Sequence, residues 1–241
     1  MQNEDELLID DIHKMKRRLF RRNVIIAFFV LVCVWFFFSP GPFLETRDFF
    51  YYLVFGGKMT VDKPVLYLYP EQETDVTVML GSSDDITVSY PSYDKAWHVM
   101  ARPDGTLIDD NNRSYNYLYW ESSTDGFEPD FSKGFCVKGS DTASFLEEQL
   151  SYMRLSDKEQ DDFITYWLPR MQGNPYNLIS FQFGNYDEYE DLDINPEPDC
   201  LIKVFMAYKP LDEPVEIAPQ ALPGAERYGF TAVEWGGMEV K

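Results

Sequence analysis

The sequence predicts an α+β domain, mainly antiparallel β-sheet in a sandwich-like arrangement with two central helices, preceded by one transmembrane helix. Three observations predict it. Apolar residues recur at every second position in short runs from Pro64 to Glu121 and again from Leu178 to Trp235. Two stripes at helical spacing fall between residues 145 and 168, and an uncharged apolar run occupies Val24 to Phe38. With 45% apolar and 17% aromatic residues in 241, the chain has material for a full core.

The apolar run comes first. Fifteen residues, VIIAFFVLVCVWFFF, carry no charge, and twelve are Val, Ile, Leu or Phe. At about −0.4 kcal/mol each, these favour bilayer insertion by roughly 5 kcal/mol. A helix of that length spans only about 22 Å of a hydrocarbon core of about 30 Å. Snorkelling by Arg21 and Arg22 and interfacial seating of Ser39 to Leu44 bridge the gap. The expected divisions are a basic tail over 1–23, a signal-anchor over 24–44, an aromatic juxtamembrane segment over 45–57 and a β-rich domain over 58–241. A cleaved signal peptide and a buried core helix compete with the anchor. The long mixed-charge N-region and Ser39-Pro40-Gly41-Pro42, in place of an A-x-A site, argue against cleavage.

Charge sets the orientation. Residues 1–44 hold six Lys/Arg against five acids, net +1, which leaves 15 basic and 36 acidic residues, net −21, for the remainder. The basic cluster before the span predicts a cytoplasmic N-terminus and an extracytoplasmic domain. An acidic domain repels nucleic acid, so no nucleic-acid partner is expected; the expected partners are the lipid bilayer, through Val24 to Phe38, and an envelope glycan or protein. The segment FLETRDFFYYLVFGG suits an interfacial aromatic belt, or equally a first element packed on the domain.

Within the domain, Pro64 to Pro70 is an apolar β-favouring run, and alternation follows in Val76, Val78, Leu80, in Ile86, Val88, Tyr90 and in Trp97, Val99, Ala101. Pro103-Asp104-Gly105 is a turn, after which Leu107 and Tyr115 to Glu121 continue the series. Phe145, Leu146, Leu150 and Met153 predict a helix behind Ser140-Asp141 as N-cap. Ser156-Asp157-Lys158-Glu159 is a capping box for a second helix with Phe163, Ile164, Trp167 and Leu168 inward, ended by Pro169. Leu178 to Phe183, the nearly all-apolar Leu201 to Tyr208 and Tyr228 to Trp235 complete the sheet, and the second of these reads as a central strand covered on both faces.

The segments KPVLYLYPE, YNYLYWE, GFCVKGSDT, YWLPRMQGNPYN and VFMAYKPL, in that order, resemble an uncharacterised family of bacterial secreted or membrane-anchored proteins. The resemblance covers roughly residues 63 to 237 and implies an extracytoplasmic bacterial setting. It implies no activity and no functional residue.

The chemistry must come from few groups. His98 is the domain's one histidine, beside Trp97 and Val99 and so expected on the opposite face from them; any Ser-His-Asp or Cys-His arrangement would pass through it. Cys136 and Cys200 could form a disulfide or remain two buried thiols, while Cys33 lies in the apolar run. No zinc spacing occurs. Asp191, Asp193 and Asn195 open like an EF-hand loop, but Pro196 and Ile202 occupy the turn-glycine and bidentate-Glu positions, leaving at most a looser calcium site. No cofactor is expected. Glu121, on the face of Tyr115, Tyr117 and Tyr119, and Glu234, before Trp235-Gly236-Gly237, are candidate carboxylates for glycoside hydrolysis. The Tyr115, Tyr117, Tyr119 stripe with Trp235 is a candidate binding platform for sugar rings or a partner's apolar face, unless both faces of that strand are buried. The leading expectation is a noncatalytic binding or structural module of the cell envelope; the alternative is a tethered carboxylate-dependent hydrolase of envelope glycans.

Overall fold

The computed structural model describes residues 60–81, 86–123, 127–184, 186, 191–224 and 226–240, all within the unit Lys58–Lys241. The expected tail, the run Val24 to Phe38 and the aromatic segment 45–57 lie outside the described residues, as does 187–190 of the acidic stretch. Among the described residues, no helix is long and apolar enough to cross a membrane.

Among the described residues strands come first: β1 (Thr60–Tyr69), β2 (Thr74–Leu80), β3 (Ile86–Tyr90), β4 (Trp97–Ala101), β5 (Leu107–Ile108), β6 (Ser114–Tyr115), β7 (Leu118–Ser123) and β8 (Lys133–Lys138). Then come α1 (Thr142–Tyr152) and α2 (Asp157–Met171), followed by β9 (Tyr176–Phe181), β10 (Leu192–Asn195), β11 (Cys200–Leu211), β12 (Ala218–Pro219) and β13 (Thr231–Glu239). Among the described residues these build an eight-stranded sheet, β12-β8-β9-β11-β13-β1-β7-β3, and a five-stranded sheet, β10-β2-β4-β5-β6. The architecture is α+β, antiparallel-rich and sandwich-like.

Alternation on the larger sheet fixes three layers. Val65 and Tyr67 of β1 join Val233 and Trp235 of β13 and Val204 and Met206 of β11 in a core closed by Leu146, Leu150, Phe163 and Trp167 from the helices. On the reverse face, Leu66 and Leu68 pack with Val76, Val78, Trp97 and Val99 of the smaller sheet. Beyond that contact, Phe205, Ala207 and Met238 are covered by Phe127 and Tyr186. Strands β1, β11 and β13 are therefore buried on both faces, which is why their sequences run nearly continuously apolar. Gly237 lets α2 approach, since a Cβ there would stand 2.7 Å from the Trp167 ring.

The larger sheet is mainly antiparallel, as expected, although β11 and β13 run parallel from Cys200↔Thr231 to Tyr208↔Glu239. Two local expectations are corrected. Helix α2 continues through Pro169 to Met171. A proline this near the C-terminus forfeits one bond, and the fully buried Met171 side chain holds the last turn in place. Asp141 precedes α1 without any side-chain cap, because a 3₁₀ turn, Gly139–Asp141, leads into the helix and Thr142 donates back to the Lys138 carbonyl. The capping box of α2 is present, with Ser156 N donating to Glu159 Oε2 at 2.7 Å and Glu159 N to Ser156 Oγ.

Candidate functional site

Register places each candidate. Val65 is flanked by Tyr119 and Trp235, whereas the next residue, Leu66, is flanked by Leu118 and Glu234. Tyr117, Tyr119 and Glu121 therefore share the helix face with Trp235, and Glu234 lies on the reverse face. The two carboxylates are not brought into one cleft. Glu121 accepts a short hydrogen bond from Tyr119. Glu234 is 1% exposed, accepts from the Tyr186 hydroxyl at 2.9 Å and stands 3.6 Å from Lys203 Nζ on the parallel neighbour β11.

The tyrosine stripe is also split. Tyr115 belongs to β6 and pairs with Leu107 in the smaller sheet, while Tyr117 and Tyr119 pack against the helical core. Trp235 is fully buried. His98 is exposed on β4, with its Nδ1 3.1 Å from Thr77 Oγ1. Asp191, Asp193 and Asn195 follow one another along the edge strand β10 and its approach, spaced about 6.7 Å apart rather than curled around a centre. Among the described residues, no group of three or more His, Cys, Asp or Glu converges to hold a metal ion.

Cys136 and Cys200 are both free thiols. Cys136 lies opposite Leu178, and Leu178 opposite Lys209. Cys200 is nine residues from Lys209 on that strand, so roughly 30 Å separates the thiols, against a disulfide limit of about 7 Å between Cα atoms.

What the helix face does assemble is a polar-aromatic cluster around Lys63. This residue occupies the bulge where β1 shifts register on both sides, with φ of 53°. Its Nζ lies 5.0 Å from the Tyr166 ring, 5.3 Å from Trp235 and 5.8 Å from Tyr117. A left-handed conformation costs a lysine about 1–3 kcal/mol, and three ring faces offset it at about 0.5–2 kcal/mol each. Burial lowers the Lys63 pKa, opposed by Asp162 and assisted by Arg170. Tyr67 donates to Asp162 Oδ2 at 2.9 Å and meets Tyr117 edge-on at 5.3 Å. Burial first, and the Asp162 charge second, push both phenols up, so they stay protonated donors at neutral pH. Sequence reasoning missed Lys63, Tyr67 and Asp162. The signal that could have found them is on α2, where Lys158, Asp162, Tyr166 and Arg170 recur every fourth residue as a polar-aromatic stripe.

Beside this cluster the surface dips into a concavity of about 340 Å³, lined by Tyr90, Thr106, Arg113, Tyr115, Asn116 and Tyr117. Tyr90 and Tyr115 meet edge-on at 5.5 Å, and the Arg113 guanidinium lies 5.6 and 5.7 Å from their ring centres. Asp109 sets the geometry: it accepts from Arg113 N, from Asn111 N and from the Tyr115 hydroxyl, each at 2.9 Å. These bonds, led by the one from Arg113 N, hold its carboxyl below the ordinary range. Lys158 Nζ donates to Asn116 Oδ1 at 3.3 Å, which links α2 to the rim. Tyr90 is 47% exposed, so its ring is available to a ligand. Exposed rings beside a guanidinium and an amide can stack on the C–H face of a sugar and hydrogen-bond its hydroxyls.

Comparison with known proteins finds no matching family model, no matching curated protein and no matching solved structure.

Proposed function

We propose that the chain is a single-pass membrane-anchored protein whose extracytoplasmic domain is a noncatalytic binding module of the cell envelope, taking glycan at the Tyr90–Arg113–Tyr115–Tyr117 surface. The carrying observation is that concavity, in which two edge-packed tyrosines, a guanidinium and an amide converge on a volume suited to one or two sugar rings. Placement at the envelope is supported by the apolar run Val24 to Phe38, the six basic residues before it and the net charge of −21 beyond residue 44. The resemblance to bacterial secreted and membrane-anchored proteins points the same way. Separation of Glu121 and Glu234 by the thickness of the sheet favours binding over carboxylate-pair hydrolysis.

The test is titration of the full chain, in lipid nanodiscs, with soluble cell-wall glycan fragments. Saturable binding is expected, weakened about tenfold by Tyr90→Ala and by Arg113→Ala, two changes at exposed positions. Absence of binding, or binding indifferent to both changes, overturns the reading.

A further inference from the structure

A larger concavity lies elsewhere, at the N-terminal end of β11. It holds about 760 Å³ and runs along Cys200, Leu201, Ile202 and Val204, with Phe183 and Leu192 beside them. Its position follows from a mismatch of strand lengths. On one flank β11 is paired with β13 from Cys200 through Tyr208. On the other flank β9 pairs with Met206 through Leu211, and one further bond, Gln182 N to Phe205 O, ends the contact. Among the described residues, no strand pairs with Cys200–Ile202 on that flank.

Backbone alternation decides which groups face the cleft. Phe205 turns its carbonyl toward β9, and Cys200 N turns the other way, to the Phe230 carbonyl. Leu201, of the same parity as Phe205, therefore points its N–H and C=O into the cleft. Leu192 of β10, the strand that ends the order of the smaller sheet, is also in the lining. Among the described residues the flank of β11 at Leu201 thus borders the groove without a paired strand, which is the template that an extended chain completes by strand addition.

The lining selects the side chains of that chain. Met153, Phe183, Ile202 and Val204 supply apolar surface; Lys203, which stands 3.6 Å from Glu234, adds one cation, and Asp191, Asp199 and Glu226 line the groove from exposed positions, so the lining is net acidic. A strand laid in the groove presents alternate residues to its two sides, so apolar and basic residues at period two match it.

We infer that this cleft is a peptide-binding groove, which takes an extended segment alternating apolar and Lys/Arg residues as an added strand beside Leu201. The inference is independent of the glycan reading, because it uses a different surface and a different ligand chemistry. The probe is a fluorescein-labelled, acetylated nonapeptide alternating Val and Lys, titrated by anisotropy into the full chain in nanodiscs. Saturable binding is expected, with roughly tenfold losses when Glu replaces Lys in the peptide, when alternate peptide amides are N-methylated, and in the Asp191→Lys/Glu226→Lys variant. Both substitutions are at exposed side chains, so the fold should persist. In the saturated complex the Leu201 amide should exchange more slowly with deuterium. No binding of the Val-Lys peptide, equal binding of its N-methylated form, or unchanged Leu201 exchange would each overturn the inference.

Discussion

The two faces of the eight-stranded sheet bury comparable aromatic bulk but treat polar groups differently. On the helix face, polar tips are carried to the margin: Tyr67 reaches Asp162, Tyr208 reaches Glu239, and the fully buried Glu159 is gripped by both guanidinium nitrogens of Arg227 at 2.8 and 3.0 Å. On the reverse face a carboxylate sits mid-sheet. Glu234 lies at the seam between the apolar patch shared with the smaller sheet and the patch under Phe127 and Tyr186, with Lys203 on the next strand. One face holds its buried carboxylate with two close guanidinium bonds from a partly exposed arginine; the other relies on a single, longer contact to a lysine, in a pair whose desolvation offsets much of its attraction.

The largest effect expected is on the helix face. Trp235→Ala removes a ring that is fully buried and 5.1 Å from Phe163, and should lower unfolding free energy by about 3–5 kcal/mol in urea titration. A loss below about 1 kcal/mol would mean that this face is not the principal core.

On the reverse face, Glu234→Leu should cost about 3 kcal/mol, because Lys203 loses this carboxylate. Adding Lys203→Met should recover most of it, since an apolar pair of similar volume removes the desolvation cost of both groups. If the double variant is no more stable than the single one, the seam depends on charge and the contrast between the faces fails.

The smallest expected effect sharpens the margin. Arg227→Met should cost about 2–3 kcal/mol at pH 7 by leaving Glu159 buried without its guanidinium. Burial pushes the Glu159 carboxyl up, but hydrogen bonds from Arg227, Tyr69 and Ser156 outweigh it and hold the pKa below the ordinary value. A depressed carboxyl stabilises the fold above its unfolded pKa of about 4.3 and loses that contribution as pH falls through the folded value. The stability gap between wild type and Arg227→Met should therefore narrow below about pH 4.3; a gap constant from pH 7 to pH 3 would sink this account.

Period and caps make much of the fold legible. Alternation marks β2 and β4, the capping box marks α2, and the apolar run Leu201 to Tyr208 marks a strand covered on both sides. What stays hidden depends on pairing, which a single strand's sequence does not carry. Tyr115, Tyr117 and Tyr119 keep perfect spacing across the point where the chain leaves one sheet for the other, so the stripe reads as continuous. Lys203 and Glu234 become partners only through the parallel register of β11 and β13, joined by a long connection whose described residues form no helix to announce it. Lys63 carries no local signal, since nothing in Asp62-Lys63-Pro64 demands a positive φ. Of the candidate site, spacing singles out Tyr115 and Tyr117; Tyr90 and Arg113 join them only through folding.

The place of β13, between β1 and β11, has a consequence for biogenesis. Tyr69 meets Thr231, so the ladder begun by β1, β7 and β3 and the ladder of β12, β8, β9 and β11 have no common strand until Thr231–Glu239 leaves the ribosome. Pairing across so much intervening chain is slow, and each unfinished ladder presents an open hydrogen-bonding margin in the interim. A nascent chain halted before Thr231 should remain protease-sensitive and prone to self-association, and acquire a cooperative core once that last segment is threaded in.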